Sequence, residues 1–454
     1  MIPSARLQAA IDILADLDAR RRPAAEALKD WGAHHRFAGS GDRAAIAGLV
    51  YDGLRRQASA AWLLDAATPR AVMLGTLRLA RGLDAEAIAR LFDGTPHGPA
   101  PLTEAERARL ATATLDGAPA WVAGDYPEWL DARLEAAFGD DRIAEMLALA
   151  ARAPLDLRVN RLRTGRAAAK AALAHLDAAE TPWSPDGLRI VVPAEGKSPA
   201  VQAEPAFLKG QIEIQDEGSQ LAALLTGAKA GEQVLDLCAG GGGKTLALAA
   251  RMGNRGQVFA FDADSRRLAP IFARLERAST RNVQVRAPRG TQDVLAELAG
   301  HMDLVVVDAP CTGTGTWRRN PDAKWRLRPG AIEQRVKEQA ELLDQAVRFV
   351  KPGGRIAYIT CSVLPEENED QIRRFIAATP GWRAVAPGEL AAALAKSAAT
   401  TANGAAETAN GAAATANGAA TFAEAVRCSD VGLTMTPLRT GTDGFFLSIL
   451  TRSD

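Results

Sequence analysis

The stretch VLDLCAGGGGKT, residues 234–245, leads from a short apolar strand through four glycines into a helical pattern. Glycine allows a tight turn and a close backbone approach to a ligand, and the following helix N-terminus offers free N–H groups. This order predicts the first unit of an open α/β sheet that binds a cofactor. The loop residues expected to contact that cofactor are Cys238, Ala239, Gly240, Gly241, Gly242, Gly243 and Lys244, with Cys238 as a small packing residue.

A nucleotide triphosphatase is disfavoured by the spacing of these glycines. The phosphate-cradling loop of such proteins needs a glycine five residues before its Gly-Lys-Thr, and Cys238 occupies that position. Asp262 ends the next predicted strand, where an acid can accept hydrogen bonds from the ribose hydroxyls of an adenosine-containing cofactor. The alternative is that Asp262, like Asp264, only caps the helix that begins near Ser265.

Strands and helices alternate from residue 211 onward, as short apolar runs separated by helical periodicity. This pattern predicts an α/β fold with a parallel sheet covered on both faces, and an antiparallel edge for the last strand. The predicted strands are 233–237, 257–261, 282–285, 303–307, 355–359 and 445–450, and the predicted helices lie near 244–252, 265–279, 331–350 and 366–378.

Two further regions precede this sheet. Residues 1–149 show helical spacing of apolar residues, which predicts an all-helical domain, and residues 150–210 predict a small α/β module. The third domain, 211–454, contains TANGAAE, TANGAAA and TANGAAT at residues 401–421, which have no large apolar residue to pack. We expect a disordered insertion near residues 396–421.

The bulk composition excludes several classes. Lysine plus arginine and aspartate plus glutamate both number 54, so no net charge indicates a membrane or nucleic-acid partner. Four cysteines without a CxxC pair fit a reducing compartment rather than a disulfide-stapled secreted domain, and no metal site is expected. No signal peptide or long apolar run is recognisable, so we expect a soluble cytoplasmic protein without a membrane partner.

Two cysteines follow predicted strands and are candidates for covalent chemistry. Cys311 comes after MDLVVVDAP, residues 302–310, and Cys361 comes after GGRIAYIT, residues 353–360. If these strands are neighbours beside the first strand, both thiols flank one pocket next to the glycine loop. An isolated buried cysteine is usually an inert apolar residue, but two at successive strand ends favour catalysis. The residues alone do not rank the two thiols.

The C-terminal half resembles the RsmB/Sun family of S-adenosylmethionine-dependent RNA (cytosine-5) methyltransferases. The resemblance rests on the loop quoted above and on IQDEGSQL (214–221), DAPCTGTGTWRRNPDAKW (308–325), TCSVLPEENE (360–369) and DGFF (443–446). It implies a Rossmann-like methyltransferase sheet, with S-adenosylmethionine as cofactor and RNA, expected to be ribosomal, as substrate. It also implies that Cys361 is the nucleophile and that Cys311 helps to release the product. We expect the protein to be a monomer.

A thiol suits this chemistry because carbon 5 of cytosine is a poor nucleophile until a thiolate adds to carbon 6. Asp308 is then expected to bind the cytosine edge, to assist protonation of the ring nitrogen and to contact the cofactor. The alternative is an RNA-binding or antitermination factor with a decayed methyltransferase domain. The presence of Cys311, Cys361, Asp308 and Lys244 argues against decay.

Two departures from the family pattern concern the cofactor. Gly240 and Gly241 stand where the family commonly has Ala and Pro, which leaves the loop freer. The family often has an acid after the third strand to meet the adenine, whereas here the strand continues into RAPRG, residues 286–290. The sequence therefore names no polar partner for the adenine.

RNA contacts are expected where basic and aromatic residues alternate, since these bind phosphates and stack on unpaired bases. A single-stranded or looped RNA is the expected substrate, because the cytosine must be unstacked. The helical domain resembles the NusB-like RNA-binding domain, most closely at GLVYDGLRR, residues 48–56. The first candidate cluster is Trp317, Arg318, Arg319, Lys324, Trp325, Arg326 and Arg328; the second and weaker one is Arg152, Arg158, Arg161, Arg163, Arg166 and Lys170.

Overall fold

A computed structural model describes residues 1–193, 199–391, 394 and 422–452. The chain forms two compact units: unit 1 comprises Met1–Ala153, Pro193–Ser198 and Thr316–Pro329, and unit 2 comprises Pro154–Val192, Pro199–Gly315 and Gly330–Asp454. The repeat at residues 401–421, with its predicted disorder, lies outside the described residues. Within the described ranges, no helix combines the length and apolar character that a membrane crossing requires.

Unit 1 is helical, and three of its helices begin at a residue whose side chain caps the helix. At one start, Thr103 Oγ1 accepts from Glu106 N at 3.1 Å while the Glu106 carboxylate accepts from Thr103 N at 2.9 Å. The apolar faces enclose a core that includes Ile46, Met73 and Ile88. The helices are α1 Pro3–Arg20, α2 Ala24–His34, α3 Ser40–Arg55, α4 Gln57–Leu64, α5 Pro69–Leu79, α6 Ala85–Leu91, α7 Glu104–Thr112, α8 Ala120–Ala123, α9 Asp131–Phe138 and α10 Arg142–Ala150.

A segment far along the chain completes this helical core. Residues 316–329 contain the helix Pro321–Arg326, and Trp325 packs against the unit 1 core with its Nε1 donating to Leu54 O at 2.7 Å. Lys324 is 2% exposed, and its ammonium donates to Asp125 O at 2.5 Å and to Arg55 O at 3.3 Å. The segment is therefore part of the interior of unit 1.

The buried Lys324 ammonium predicts a pH dependence of stability in unit 1. Burial lowers the pKa of Lys324 from 10.5 to about 7. Between these values the unfolded state binds more protons than the folded state, so the free energy of unfolding is expected to rise with pH, by up to about 1.4 kcal/mol per pH unit. Amide hydrogen exchange of α1 peptides in the full chain, corrected for intrinsic rates, should show this rise between pH 7 and 9.

The matched variant for this prediction is Lys324→Met, which retains the apolar stem and removes the titrating group. Its exchange protection is expected to change less with pH than that of the wild-type chain. Equal pH dependence in the two proteins would show that Lys324 does not carry the effect.

A small antiparallel sheet begins unit 2. Its strand order is β2-β3-β1-β4, and Leu157 on the central strand β1 pairs with Leu188 on one side and Ile214 on the other. Two helices accompany the sheet, and Leu157, Leu173 and Ile212 lie in its core. The elements are β1 Leu155–Val159, α11 Arg166–Ala172, β2 Ala179–Glu180, β3 Gly187–Ile190, α12 Pro205–Leu208 and β4 Ile212–Ile214.

The larger sheet of unit 2 carries the glycine loop and both cysteines. The strand order is β11-β12-β13-β9-β8-β5-β6-β7, with β10 paired to β13. Its elements are α13 Glu217–Leu225, β5 Gln233–Asp236, α14 Gly243–Arg251, β6 Gln257–Phe261, α15 Ser265–Leu268, α16 Ile271–Arg277, β7 Val283–Arg286, β8 Met302–Asp308, α17 Pro321–Arg326 (in unit 1), α18 Pro329–Val347, β9 Val350–Thr360, α19 Glu369–Ala378, β10 Trp382–Ala384, β11 Arg427–Cys428, β12 Leu433–Met435, α20 Pro437–Thr440 and β13 Phe445–Arg452.

The predicted α/β fold class is confirmed. Strands β5 to β9 pair in parallel, β8 lies between β5 and β9 as the argument about the thiols required, and the apolar residues form one core on each face. The last strand, β13, is antiparallel to β9 as predicted, but it is not an edge because β12 and β10 pair with it. The helix predicted over 265–279 is divided at Pro270, whose ring cannot continue a helix.

Candidate active site

The two candidate thiols meet at the carboxyl edge of the large sheet. Cys311 follows β8, Cys361 directly follows β9, and their Sγ atoms lie 3.3 Å apart as free cysteines. Val307 pairs with Tyr358, which fixes the register of the two strands. The contact with the Cys361 thiol and burial both raise the pKa of Cys311, so Cys311 keeps its proton at neutral pH. One protonated thiol therefore lies within hydrogen-bonding distance of a second sulfur.

A buried carboxylate positions the loop that carries Cys311. Glu367 is fully buried; its Oε1 accepts from Thr312 N at 2.9 Å and its Oε2 accepts from Thr312 Oγ1 at 2.5 Å. Gln339 Nε2 donates to Glu367 Oε1 and to Pro310 O, both at 3.0 Å. Hydrogen bonds thus hold the residues on both sides of Cys311. The acceptor Glu367 belongs to the PEENE motif, residues 365–369, for which the sequence predicted no role.

We expect Glu367→Gln to destabilise this loop. The carboxylate oxygens now accept hydrogen bonds from Thr312 N and Oγ1, and in the variant the amide nitrogen of glutamine would face one of these donors. The expected loss is about 1–3 kcal/mol. Hydrogen exchange of peptides spanning residues 311–315 should speed up, whereas Glu338→Gln, which changes only partly exposed contacts with Arg335 and Gln334, should leave them unchanged. Equal exchange in both variants would contradict the proposed role of Glu367.

The turn that carries Cys361 is held by the residue directly before the chain's last described strand. Gly315 N donates to Cys361 O at 2.9 Å, and Gly444 N donates to Gly315 O at 2.8 Å. A Cβ at Gly315 would lie 2.2 Å from Gly444 O, so a side chain there cannot fit without a backbone shift. Asn368 Oδ1 accepts from Thr360 Oγ1 at 2.5 Å, and Asn368 Nδ2 donates to Ser362 O at 3.0 Å. The DGFF stretch therefore supports the turn around Cys361.

The glycine loop turns sharply between β5 and α14. Gly240 and Gly242 have φ of 50° and 83°, and a Cβ at Gly242 would lie 2.5 Å from Ile271 Cγ1. Arg274 NH1 donates to Gly241 O at 2.6 Å, and Arg158 NH1 donates to Gly243 O at 2.9 Å. The loop was expected to have more backbone freedom than the loops of family members, because Gly240 and Gly241 replace their Ala and Pro. In the structure two guanidinium groups hold its carbonyls.

Two acids and a lysine surround this loop. Asp262 Oδ2 accepts from Gly240 N at 2.9 Å and its Oδ1 accepts from Asp264 N at 2.9 Å, so the side chain supports the loop; its ribose role stays a prediction. Lys244 Nζ lies 2.7 Å from Asp308 Oδ2, and the Asp308 side chain is 32% exposed. This ion pair connects the first turn of α14 with the strand that leads to Cys311.

Sequence reasoning missed one further acid at this edge. Asp236, the last residue of β5, is fully buried, and its Oδ2 accepts from Thr245 Oγ1 at 2.7 Å. Burial raises the pKa of Asp236 to about 7. Its position in LDLC, directly before the glycine loop, was the signal available. Cys238 is also buried, which fits a packing residue and raises the pKa of its thiol well above the usual value.

The third strand of the parallel part of the sheet, β7, ends at an arginine. Arg286 closes β7, forms an ion pair with Glu297 at 2.7 Å and lies over the Phe259 ring, 5.4 Å from its centroid. The residue that ends this strand, where the resemblance leads one to expect an acid for the adenine, is therefore an arginine.

Three of the seven residues of the first candidate RNA cluster are buried, so the prediction that the cluster as a whole is a single-strand binding surface is wrong. Trp317, Arg318 and Lys324 are 2%, 5% and 2% exposed. Trp325 packs on the unit 1 core, and Arg326 pairs with Asp322 at 2.9 Å. Arg328 is exposed. Basic and aromatic residues alternate here because the segment packs into the interior of a helical unit. An RNA-binding surface can have the same alternation, so the sequence pattern alone does not distinguish the two.

Comparison with known proteins agrees with this geometry. The sequence profile described as 16S rRNA methyltransferase RsmB/F matches residues 223–451, and the RsmF/B-like ferredoxin-like domain matches residues 126–195. The ribosomal RNA small subunit methyltransferase B of Klebsiella pneumoniae is 36% identical over 259 residues, which cover 56% of this chain and 58% of that relative. The matched region thus spans little more than half of the relative's length.

Solved structures share the fold. The crystal structure of PH0851 covers 99% of both chains with a TM-score of 0.68 at 23% identity. The structure of NSun6 from Pyrococcus horikoshii with SFG has a TM-score of 0.55 at 18% identity, over 72% of this chain and 98% of that one. At these identities the likeness concerns the fold. Since the methyltransferase profile covers half of the sequence, the chain belongs to the RsmB/F family of 16S rRNA methyltransferases.

Proposed function

We propose that the protein transfers a methyl group from S-adenosylmethionine to carbon 5 of a cytosine in small-subunit ribosomal RNA, through a covalent adduct of Cys361 with carbon 6. The observation that carries this proposal is the 3.3 Å contact between Cys311 Sγ and Cys361 Sγ. Two thiols at one sheet edge, beside a glycine loop, match the need for one sulfur that attacks and a second that assists release.

The residues of the loop fit the proposed cofactor. Gly240 and Gly242 adopt positive φ angles, which glycine tolerates because it has no side chain. The turn is therefore open enough for a ligand to approach the N-terminus of α14. Asp262 lies at the end of β6, where an acid can meet ribose hydroxyls. NSun6, which shares the fold, was solved with SFG, an analogue of S-adenosylmethionine. When bound, this cofactor would supply an electrophilic methyl group, and its sulfonium sulfur would keep the electron pair of the broken S–CH3 bond and leave as a neutral thioether.

In the first step, the Cys361 thiolate forms a bond to carbon 6 of an unstacked cytosine. The electrons of the C5–C6 double bond shift into the ring, so carbon 5 becomes nucleophilic and takes the methyl group. Asp308, held by Lys244 and partly exposed, binds the cytosine edge and assists protonation of the ring nitrogen.

In the second step, solvent water takes the proton from carbon 5, the electron pair of that C–H bond restores the C5–C6 double bond, and the C6–S bond breaks. The ring nitrogen returns its proton to Asp308. The sulfur of Cys361 departs as a thiolate. Cys311 lies 3.3 Å from that sulfur and has its pKa raised, so it offers a proton to the departing group. By resemblance to the family, Cys311 is the residue that resolves the adduct.

The proposal is tested with small-subunit ribosomal RNA transcribed with [5-³H]cytidine. Methylation at carbon 5 releases the tritium, so tritium release should equal methyl incorporation from labelled S-adenosylmethionine. Methyl incorporation without tritium release would place the methyl group elsewhere on the RNA. RNA binding with neither signal would favour a binding factor that has lost catalysis.

A further inference from the structure

A basic pocket in unit 2 lies behind the glycine loop. Its volume is about 370 Å³, within the range of small-molecule sites. Four cationic residues, Arg158, Arg161, Lys229 and Arg251, line it together with a single acid, Asp186. Arg161 forms an ion pair with that acid. The pocket thus keeps an excess of positive charge.

The deepest of these cations has no carboxylate partner. Arg158 is 6% exposed, and its NH1 donates to two neutral acceptors, Gln215 Oε1 at 2.7 Å and Gly243 O at 2.9 Å. Across the described part of the chain, Arg158 forms no ion pair, and its Nε has no hydrogen-bond partner. The nearby carboxylate of Glu213 is already bound by Arg274 and Arg277. A buried cation without a counter-charge is costly unless an anion compensates it.

The mouth of the pocket carries exposed cations. Arg161, Lys229 and Arg251 are exposed at their side chains, and Lys229 makes no side-chain ion pair within the described ranges. The walls between them are apolar and include Leu224 and Ala247. A cavity with cations at its floor and mouth and apolar walls suits a phosphate group that carries an organic part.

We propose that this pocket binds a phosphate group, and that the group belongs to the backbone of the RNA substrate. The RNA assignment rests on the proposed function. Arg251 ends the helix whose first residue, Gly243, belongs to the glycine loop, so the pocket extends about 12 Å from that loop. Arg158 contacts both, and a phosphate in the pocket therefore also fixes the guanidinium that holds Gly243 O.

The test compares two double variants of the full chain. Lys229→Gln with Arg251→Gln removes two pocket charges, and Arg255→Gln with Arg281→Gln removes two exposed charges that do not line the pocket. Affinity for a fluorescein-labelled 20-nucleotide single-stranded RNA is measured by anisotropy across a salt series. Binding of inorganic phosphate is measured by ³¹P line broadening.

The pocket variant is expected to bind the RNA at least about tenfold more weakly, with a salt slope reduced by about one, whereas the control changes less than about twofold. Loss of ³¹P broadening with unchanged RNA affinity supports the phosphate site and identifies free phosphate as its source. Unchanged binding of both probes overturns the inference. Failure of the proposed function is a different result, since the wild-type protein would then release no tritium from [5-³H]cytidine RNA.

Discussion

Methyl transfer to RNA is expected to fall by at least about 10³-fold when Cys361 is replaced by alanine, because carbon 5 of cytosine then has no thiolate to activate it. Binding of S-adenosylmethionine, measured by calorimetry, should be unchanged, since Cys361 follows β9 while the glycine loop follows β5. Single-turnover tritium release measures the chemical step without the contribution of product release.

The control for this variant is Cys428→Ala. Cys428 is an exposed cysteine on β11, which β12 and β13 separate from β9, so transfer should be retained. Retained activity in Cys361→Ala, combined with a loss in Cys311→Ala, would reverse the roles assigned to the two thiols. The residues alone do not decide which thiol attacks, and only the family resemblance assigns the attack to Cys361 and the release to Cys311.

The second large effect is expected for Asp308→Asn. The amide keeps the size of the side chain but removes the charge opposite Lys244 and the acid–base group, and general acid–base groups contribute about 10²–10⁴-fold. We expect kcat to fall by about 10²-fold or more. A rise in the KM for S-adenosylmethionine would reflect the additional role of Asp308 at the cofactor.

A matched acid lies at the other end of the same strand. Asp303 forms an ion pair with Lys351 and accepts from Gln233 N at 2.8 Å, so Asp303→Asn also removes an aspartate–lysine pair from β8. Its kcat should stay near that of the wild-type enzyme. If Asp308→Asn changes only the KM for the cofactor, the role of Asp308 is binding alone.

The parallel sheet and, once the strand order was assumed, the meeting of the thiols could be predicted from the sequence for a physical reason. Apolar runs separated by helices specify a parallel sheet, and the carboxyl ends of neighbouring strands share one edge. The positions of Cys311 and Cys361 at two strand ends were therefore enough to place them near each other only if the two strands are neighbours, as β8 and β9 are. The predicted α/β class is correct for the same reason.

Contacts between distant segments could not be predicted in this way. Lys324 and Asp125 are 199 positions apart, and nothing in the local pattern shows that Lys324 is buried. The contact of Glu367 with Thr312 joins two loops 55 positions apart, and that of Arg158 with Gly243 spans 85 positions. A motif shows that a residue is unusual, whereas its partner depends on how the elements pack.

The covalent mechanism is tested most directly by trapping the adduct. Cys311→Ala protein is incubated with S-adenosylmethionine and fluorescent small-subunit ribosomal RNA, then separated on a denaturing gel. Because Cys311 helps release and Cys361 forms the bond, the single variant should accumulate a protein–RNA band, and the double variant Cys311→Ala with Cys361→Ala should show none. A band that persists in the double variant, or its absence from the single variant while transfer continues, would contradict the account.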